Sequence, residues 1–152
     1  MKIFISGGYG LLGARAAYHF SNLGYKITVG TSSEFKFLNY KFNSKVQTRL
    51  IKWSDRTSIS EAIRGNEIIF HFAGMNAKEC SKDPVYANEF NGYKTKLFLE
   101  IAEKQNISEF IFLSTAHVYN KNLNGFFDEN SKTDNNHPYA VSNLIGEKFV
   151  EE

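Results

Sequence analysis

The run Lys2-Ile3-Phe4-Ile5-Ser6-Gly7-Gly8-Tyr9-Gly10-Leu11-Leu12-Gly13 limits what this chain can become more than any other stretch. Ile3 to Ile5 is an apolar strand, glycines at 7, 10 and 13 form a tight turn, and Leu12, Ala16, Phe20 and Leu23 then recur at helical spacing on one face. A turn this abrupt needs positive φ or a missing Cβ, and the new helix must pack close to its own strand. The helix start also offers N–H groups and a partial positive charge, a seat for an anion. Gly7, Gly10 and Gly13, with Leu11 and Leu12 at the helix start, therefore read as a cradle for the diphosphate of a dinucleotide. The spacing G-x-x-G-x-x-G is one residue longer than the common G-x-G-x-x-G, so a purely structural turn is the competing reading.

The rest of the chain continues the alternation of strand and helix. Gly24 ends the first helix, and Tyr25 to Val29 reads as a second strand followed by Thr31-Ser32-Ser33. An acidic residue at that point would accept bonds from both adenosine ribose hydroxyls; Thr31 and Ser32, with Ser33 and Lys36 behind them, tilt the cofactor toward NADP instead. The aromatic stretch from 34 to 45, with Phe35, Phe37, Tyr40 and Phe42, fits either a ragged helix or an extended flap and stays unassigned. Val46 to Trp53 is expected as the third strand, ending at Asp55, then a helix from Ser58 to Arg64 and a buried fourth strand from Glu67 to Ala73. Pro84 is expected to open one long helix to about Gln105, with Phe90, Leu97, Phe98 and Ile101 as its inner stripe. Phe110 to Ser114 is the fifth strand, a polar loop covers about 118 to 136, and Pro138 starts a last helix that runs to the end.

Apolar strands alternating with helices imply an α/β fold with a doubly wound parallel sheet, expected in the strand order 3-2-1-4-5. Ligands of such sheets sit beyond the carboxyl ends of the strands, and Gly7 to Gly13, Thr31, Asp55, Ala73-Gly74 and Ser114-Thr115 all fall at such ends. The 152 residues suffice for one ordinary domain with its own core, and a net charge of +2 argues against nucleic acid or an anionic membrane as partner. No long apolar run marks a membrane span, and the one cysteine, Cys80, in an expected polar loop, excludes an internal disulfide and fits a cytoplasmic protein. No metal-ligand spacing is present around His71, which reads as a core histidine.

By the fifth strand the chain resembles the extended short-chain dehydrogenase/reductase superfamily, the branch of NAD(P)-dependent nucleotide-sugar epimerases, dehydratases and reductases. Ser6 to Gly13 is similar to that family's T-G-x-x-G-x-x-G, and His71-Phe72-Ala73-Gly74 to its H-x-A-A/G. Asp83-Pro84, Asn91 and Thr95 resemble D-P…N-x-x-G-T, with Lys94 in place of the glycine. Phe112 to Tyr119 resembles F-x-S-S/T-x-x-V-Y, and Pro138-Tyr139-Ala140-Val141-Ser142 resembles P-Y-x-x-S. The resemblance implies a Rossmann domain over 1–152 that is the amino-terminal part of a longer protein, without the carboxyl-terminal substrate domain. It implies NAD or NADP held by Gly7, Gly10, Leu11, Leu12, Gly13, Thr31, Ser32, Asp55, Arg56, Phe72, Ala73, Gly74, Asn91 and Ser114. Tyr139 would be the acid/base, Thr115 the partner of the substrate hydroxyl, and Asn143 the residue at the lysine position of Y-x-x-x-K. A nucleotide-sugar is the implied partner, no metal is expected, and a homodimer is left open.

Asn143 is the departure that bears on chemistry. A free phenol has a pKa of ~10, so only about one in a thousand is ionised at neutral pH, and doing without a neighbouring cation costs roughly 4 kcal/mol. Asn143 lies one helical turn beyond Tyr139 and can donate a hydrogen bond but supplies no charge. His117 and His137 flank the expected substrate side and could supply a cation when protonated. The alternative to an enzyme is a dinucleotide-binding sensor or interaction module without redox chemistry.

Overall fold

The computed structural model describes residues 1–39, 42, 45–119 and 125–151. Tyr40 of the aromatic stretch, residues 120–124 of the expected polar loop and Glu152 at the expected helix end lie outside the described residues. Five strands, β1 (Lys2–Ser6), β2 (Lys26–Thr31), β3 (Val46–Leu50), β4 (Ile68–His71) and β5 (Glu109–Phe112), form one parallel sheet in the order β3-β2-β1-β4-β5. The expected topology is therefore the observed one. The helices are α1 (Leu11–Asn22), α2 (Glu34–Asn39), α3 (Arg56–Ile63), α4 (Ala77–Lys82), α5 (Pro84–Ala87), α6 (Lys94–Glu103) and α7 (Pro138–Glu151).

The described residues fall into two compact units, Met1–Ala73 with Phe98–Leu113, and Gly74–Leu97 with Ser114 onward. The first unit holds the whole sheet. Register puts Ile3 between Ile27 and Ile68, and Ile5 between Val29 and Phe70, so one face is a continuous aliphatic layer against Ala16, Ala17 and Phe20 of α1. Phe4 points to the other face, where it meets Phe98 of α6 edge-on at 6.1 Å, and Phe98 in turn packs on Trp53 and Phe110. Burial on both faces explains why the central strands read as unbroken apolar runs.

Half of the expected face of α1 holds, since Ala16 and Phe20 pack on the sheet. Leu12 and Leu23 are exposed, and Gly13, Ala17 and Ser21 are the buried positions, because a helix lying this close to the sheet takes its smallest side chains inward. β3 ends at Leu50 rather than Trp53, although Ile51 and Trp53 stay buried, and β4 stops at His71 rather than Ala73. α3 begins two residues earlier than expected, because Asp55 caps it by accepting the Thr57 N–H at 2.8 Å. The unassigned stretch at 34 opens as α2.

In the second unit the expected long helix from Pro84 is interrupted. α4 precedes it, closed by its own Asn76–Glu79 capping box, and a π-helical segment, Asn88–Tyr93, separates α5 from α6. A wider turn changes which residues lie inward, so the buried positions are Ala87, Asn91, Gly92 and Thr95, while Phe90 and Leu97 are half-buried. Gly92 is a packing necessity, since a Cβ there would lie 2.5 Å from Ile145 Cγ2 of α7. Cys80 is not in a loop: it is buried in α4 with its thiol toward the Met75 carbonyl, and burial pushes its pKa up. Lys94 is paired with Glu89 at 3.1 Å, and the exposed Lys96 lies over the Phe149 ring at 4.7 Å. Among the described residues no helix is long and apolar enough to cross a membrane.

Candidate functional site

In the first unit, Gly7 follows β1 with φ +66°, and a Cβ on it would lie 2.9 Å from the Ala73 nitrogen and the Phe72 carbonyl. A Cβ on Gly13 would lie 2.3 Å from the Gly7 carbonyl oxygen, and one on Gly10 3.2 Å from that same atom. Only glycine fits at 7 and 13, because the strand end, the turn and the first turn of α1 share this space. The Gly10 N–H donates to the Gly7 carbonyl at 2.9 Å, and the first helical bond runs from the Ala14 N–H to the Gly10 carbonyl. The N–H groups of Leu11, Leu12 and Gly13 precede that bond, and the first turn carries no acidic side chain. A bare, amide-rich turn at a helix start fits the diphosphate of a dinucleotide.

Ser6 and His71 tie this turn to the end of β4. Ser6 Oγ accepts the N–H groups of Phe72 and Ala73 at 3.0 and 3.1 Å, so its own proton goes to His71 Nδ1 at 2.6 Å. His71 is thereby the neutral tautomer protonated on Nε2. It sits among the rings of Trp53, Phe98, Phe110 and Phe112, and burial holds its pKa down at about 3. It is a structural histidine, as its place on a buried strand implied.

The other expected ribose and adenine residues share the carboxyl edge of the same sheet. Thr31 is the last residue of β2 and buried, and its Oγ1 accepts the Ser33 N–H at 3.2 Å, while Ser32 is exposed. Asp55 is exposed but gives one oxygen to the α3 cap, and Arg56 is paired with Glu100 at 3.3 Å.

The second unit carries the residues expected to act on substrate. Thr115 starts a short 3₁₀ turn, Ala116–Val118, by accepting the His117 N–H at 3.2 Å, which aims the His117 ring edge-on at Tyr139 with 5.7 Å between centroids. His137 caps α7 by accepting the Tyr139 N–H on Nδ1 at 3.1 Å, and its Nε2 lies 3.0 Å from Ser81 Oγ. Asn143 is buried, and its Nδ2 donates to the Tyr139 carbonyl at 2.7 Å, so this amide is spent on its own helix. Asn91 is likewise committed: its Oδ1 accepts the Met75 N–H at 2.7 Å and its Nδ2 donates to Ser142 Oγ at 3.0 Å. A Cβ on Gly74 would lie 3.2 Å from that Oδ1. Ser114 donates to Glu147, one turn beyond Asn143 on α7, a partner that sequence reasoning missed; its i+4 spacing from Asn143 was the available signal. No group of metal-ligating side chains occurs among the described residues.

A family model for the NAD dependent epimerase/dehydratase family matches residues 3–152. The chain belongs to that family. Among its relatives, human dTDP-D-glucose 4,6-dehydratase is 35% identical over 88 residues, covering 56% of this chain and 25% of that protein. UDP-glucose 4-epimerase of Bacillus subtilis is 27% identical over 164 residues, covering 99% of this chain and 47% of that enzyme. The fold of the UDP-glucose 4-epimerase from Bifidobacterium longum, solved in complex with NAD+ and UDP, superposes with a TM-score of 0.83 at 22% identity, covering 99% of this chain and 48% of that one. This family member thus spans about half the length of the full-chain matches.

Proposed function

We propose that these residues are the NAD(P)-binding part of a nucleotide-sugar epimerase, dehydratase or reductase, with Tyr139 as its acid/base. The observation that carries the cofactor reading is Gly13, where any Cβ would collide with the Gly7 carbonyl while the α1 amides beside it stay bare. Gly7, Gly10, Gly13 and the main chain of Leu11 and Leu12 would hold the diphosphate, with Thr31, Ser32 and Asp55 toward the adenosine, and Phe72, Ala73, Gly74, Asn91, Ser114 and Arg56 in supporting positions. Bound NAD(P) supplies the hydride acceptor and donor. Thr31, Ser32 and Lys36 favour the phosphorylated cofactor, since the last residue of β2 is Thr31 and not the carboxylate that would repel a 2′-phosphate.

Tyr139 Oη would move the proton at a sugar carbinol oxygen, and Thr115 Oγ1 would orient that hydroxyl. Asn143 cannot stabilise a phenolate by charge. His117 is the one of the two flanking histidines whose ring meets the Tyr139 ring, so His117, protonated, would take over the electrostatic part of the lysine's work.

The second reading is a cofactor-binding sensor without redox chemistry. It is favoured by the Asn143 amide, which is buried and bound to the Tyr139 carbonyl rather than presented to a ligand. Two measurements on the protein that carries these residues separate the readings. Titration with NADH and NADPH, followed by nicotinamide fluorescence, should show saturable binding; its absence overturns both. Turnover of UDP-glucose or dTDP-glucose that disappears in Tyr139→Phe supports the enzyme, and cofactor binding without turnover of any nucleotide-sugar supports the sensor.

A further inference from the structure

At the amino ends of β1, β2 and β3, the first unit contains a cavity of about 370 Å³ lined by Lys2, Lys26, Lys45, Arg49 and Arg64. Thr28, Gln47 and Asn66 supply its neutral polar wall. The strand register explains the clustering. Lys2 stands beside Lys26, Thr28 beside Gln47, and Gly30 beside Arg49, so alternate residues of three neighbouring strands send polar and basic side chains to one face. Farther along that face Phe4 begins the aromatic layer, which sets the apolar limit of the cavity.

One wall is fixed by hydrogen bonds. Arg49 Nη1 donates to the carbonyls of Glu61, Ala62 and Arg64 at 3.1, 2.9 and 2.9 Å, gathering the carboxyl end of α3. Asn66 donates from its main-chain and side-chain nitrogens to the Ile63 carbonyl at 3.1 and 3.0 Å. Gly65, at φ +77°, completes the reversal that brings Arg64 and Asn66 to the rim. Two carboxylates lie near. Glu67 is turned to the main-chain N–H of Lys2 at 3.0 Å and to the terminal ammonium at 3.9 Å, and Glu61 is 3.9 Å from Arg64. Neither lines the cavity, so Lys2, Lys26 and Arg64 border a space with no lining carboxylate among the described residues, beside the Arg49 guanidinium held by α3.

We propose that this cavity is a second anion site that takes a small polyphosphate, two or three linked phosphates without a nucleobase. The basic lining favours a multiply charged anion, and guanidinium and ammonium groups around amide and hydroxyl donors are the chemistry that recognises phosphate oxygens. No aromatic ring lines the cavity among the described residues, so a base would find no stacking partner. The volume lies at the small end of ligand cavities. The site is separate from the glycine turn: β1 runs between them, five residues long, or about 17 Å at strand rise. It stands independently of the catalytic reading of Tyr139.

The test is amide NMR of the uniformly ¹⁵N-labelled protein titrated with inorganic tripolyphosphate, alone and with saturating NADH. Saturable shifts centred on Thr28, Gln47 and Asn66 that persist with NADH support the site. Shifts centred on Gly7 to Leu12, or shifts abolished by NADH, place the anion at the glycine turn and overturn it. The double variant Lys26→Ala/Arg64→Ala should bind tripolyphosphate at least tenfold more weakly with its thermal midpoint little changed, whereas unchanged affinity overturns the proposal. With NADH saturating, ATP binding tighter than tripolyphosphate and shifting Thr28, Gln47 and Asn66 would show that a nucleobase is recognised in the cavity and would also overturn it. Orthophosphate should bind more weakly than tripolyphosphate, because one phosphate cannot span the lysines and Arg64 together.

Discussion

At the glycine turn the working groups are main-chain amides, kept open by side chains that are missing, whereas along α7 they are side chains whose worth depends on neighbours from other elements. Gly7, Gly10 and Gly13 make a turn that one local stretch specifies almost completely. The Tyr139 ring meets that of His117, whose N–H Thr115 accepts in the segment after β5, and the Asn143 amide one turn on donates to the Tyr139 carbonyl. A main-chain site tolerates drift elsewhere in the sequence as long as its glycines remain. A side-chain site can be altered by one substitution, and Asn143 stands where the Y-x-x-x-K pattern has its lysine.

The largest effect that would sharpen this contrast is at Tyr139 itself. Tyr139→Phe should lower nucleotide-sugar turnover by at least ~10³-fold while NADH affinity stays within about twofold, measured by steady-state kinetics and fluorescence titration on one preparation. An equal loss of both would show that the two regions are not separable.

Gly13→Val comes next. Its Cβ would meet the Gly7 carbonyl, so NADH affinity should fall by about 100-fold, with circular dichroism checking that the fold persists. Unchanged affinity would mean that the diphosphate lies elsewhere.

The packing behind the turn carries a pH signature. His71 stays neutral in the fold down to about pH 3 but takes up a proton near 6.5 when unfolded. Stability is therefore flat above about pH 6.5 and falls as acid is added, because only the unfolded chain gains the proton. Between pH 7.5 and 5 this one group should cost about 2 kcal/mol, read from urea midpoints. A His71→Gln protein that keeps the full slope would assign the loss to other groups.

The smallest effect belongs to His117. His117→Ala should slow turnover by about tenfold, and Asn143→Lys should make turnover insensitive to that change. If His117→Ala is silent in both backgrounds, His117 supplies no charge to the reaction.

The doubly wound sheet was legible in the sequence because parallel strands buried on both faces must be apolar, and Ile3 to Ile5 and Ile68 to Phe70 are. The glycine turn was legible for a similar reason, since its requirement is steric and local. The inner face of α1 was read correctly at Ala16 and Phe20 but misjudged at its ends, because Leu12 and Leu23 are the larger apolar residues while the fully buried positions are Gly13, Ala17 and Ser21. The π-helical segment was invisible, because an extra residue per turn leaves no compositional mark; its trace is polar Asn91 and Thr95 where an apolar stripe was expected. Cys80 looked incidental in a polar stretch because its burial depends on Asn91 and Ser142, 11 and 62 residues away along the chain.

Amino-acid order alone determined the sheet, its strand sequence and the bare amides after β1, since these follow from hydrophobic periodicity and from where a Cβ cannot go. Tertiary structure decided that the Asn143 amide is bound to the Tyr139 carbonyl, that His117 rather than His137 meets the Tyr139 ring, and that basic residues from three strands and the α3–β4 turn surround one cavity. Those facts depend on distances between residues far apart in the chain, which packing sets and local pattern does not encode.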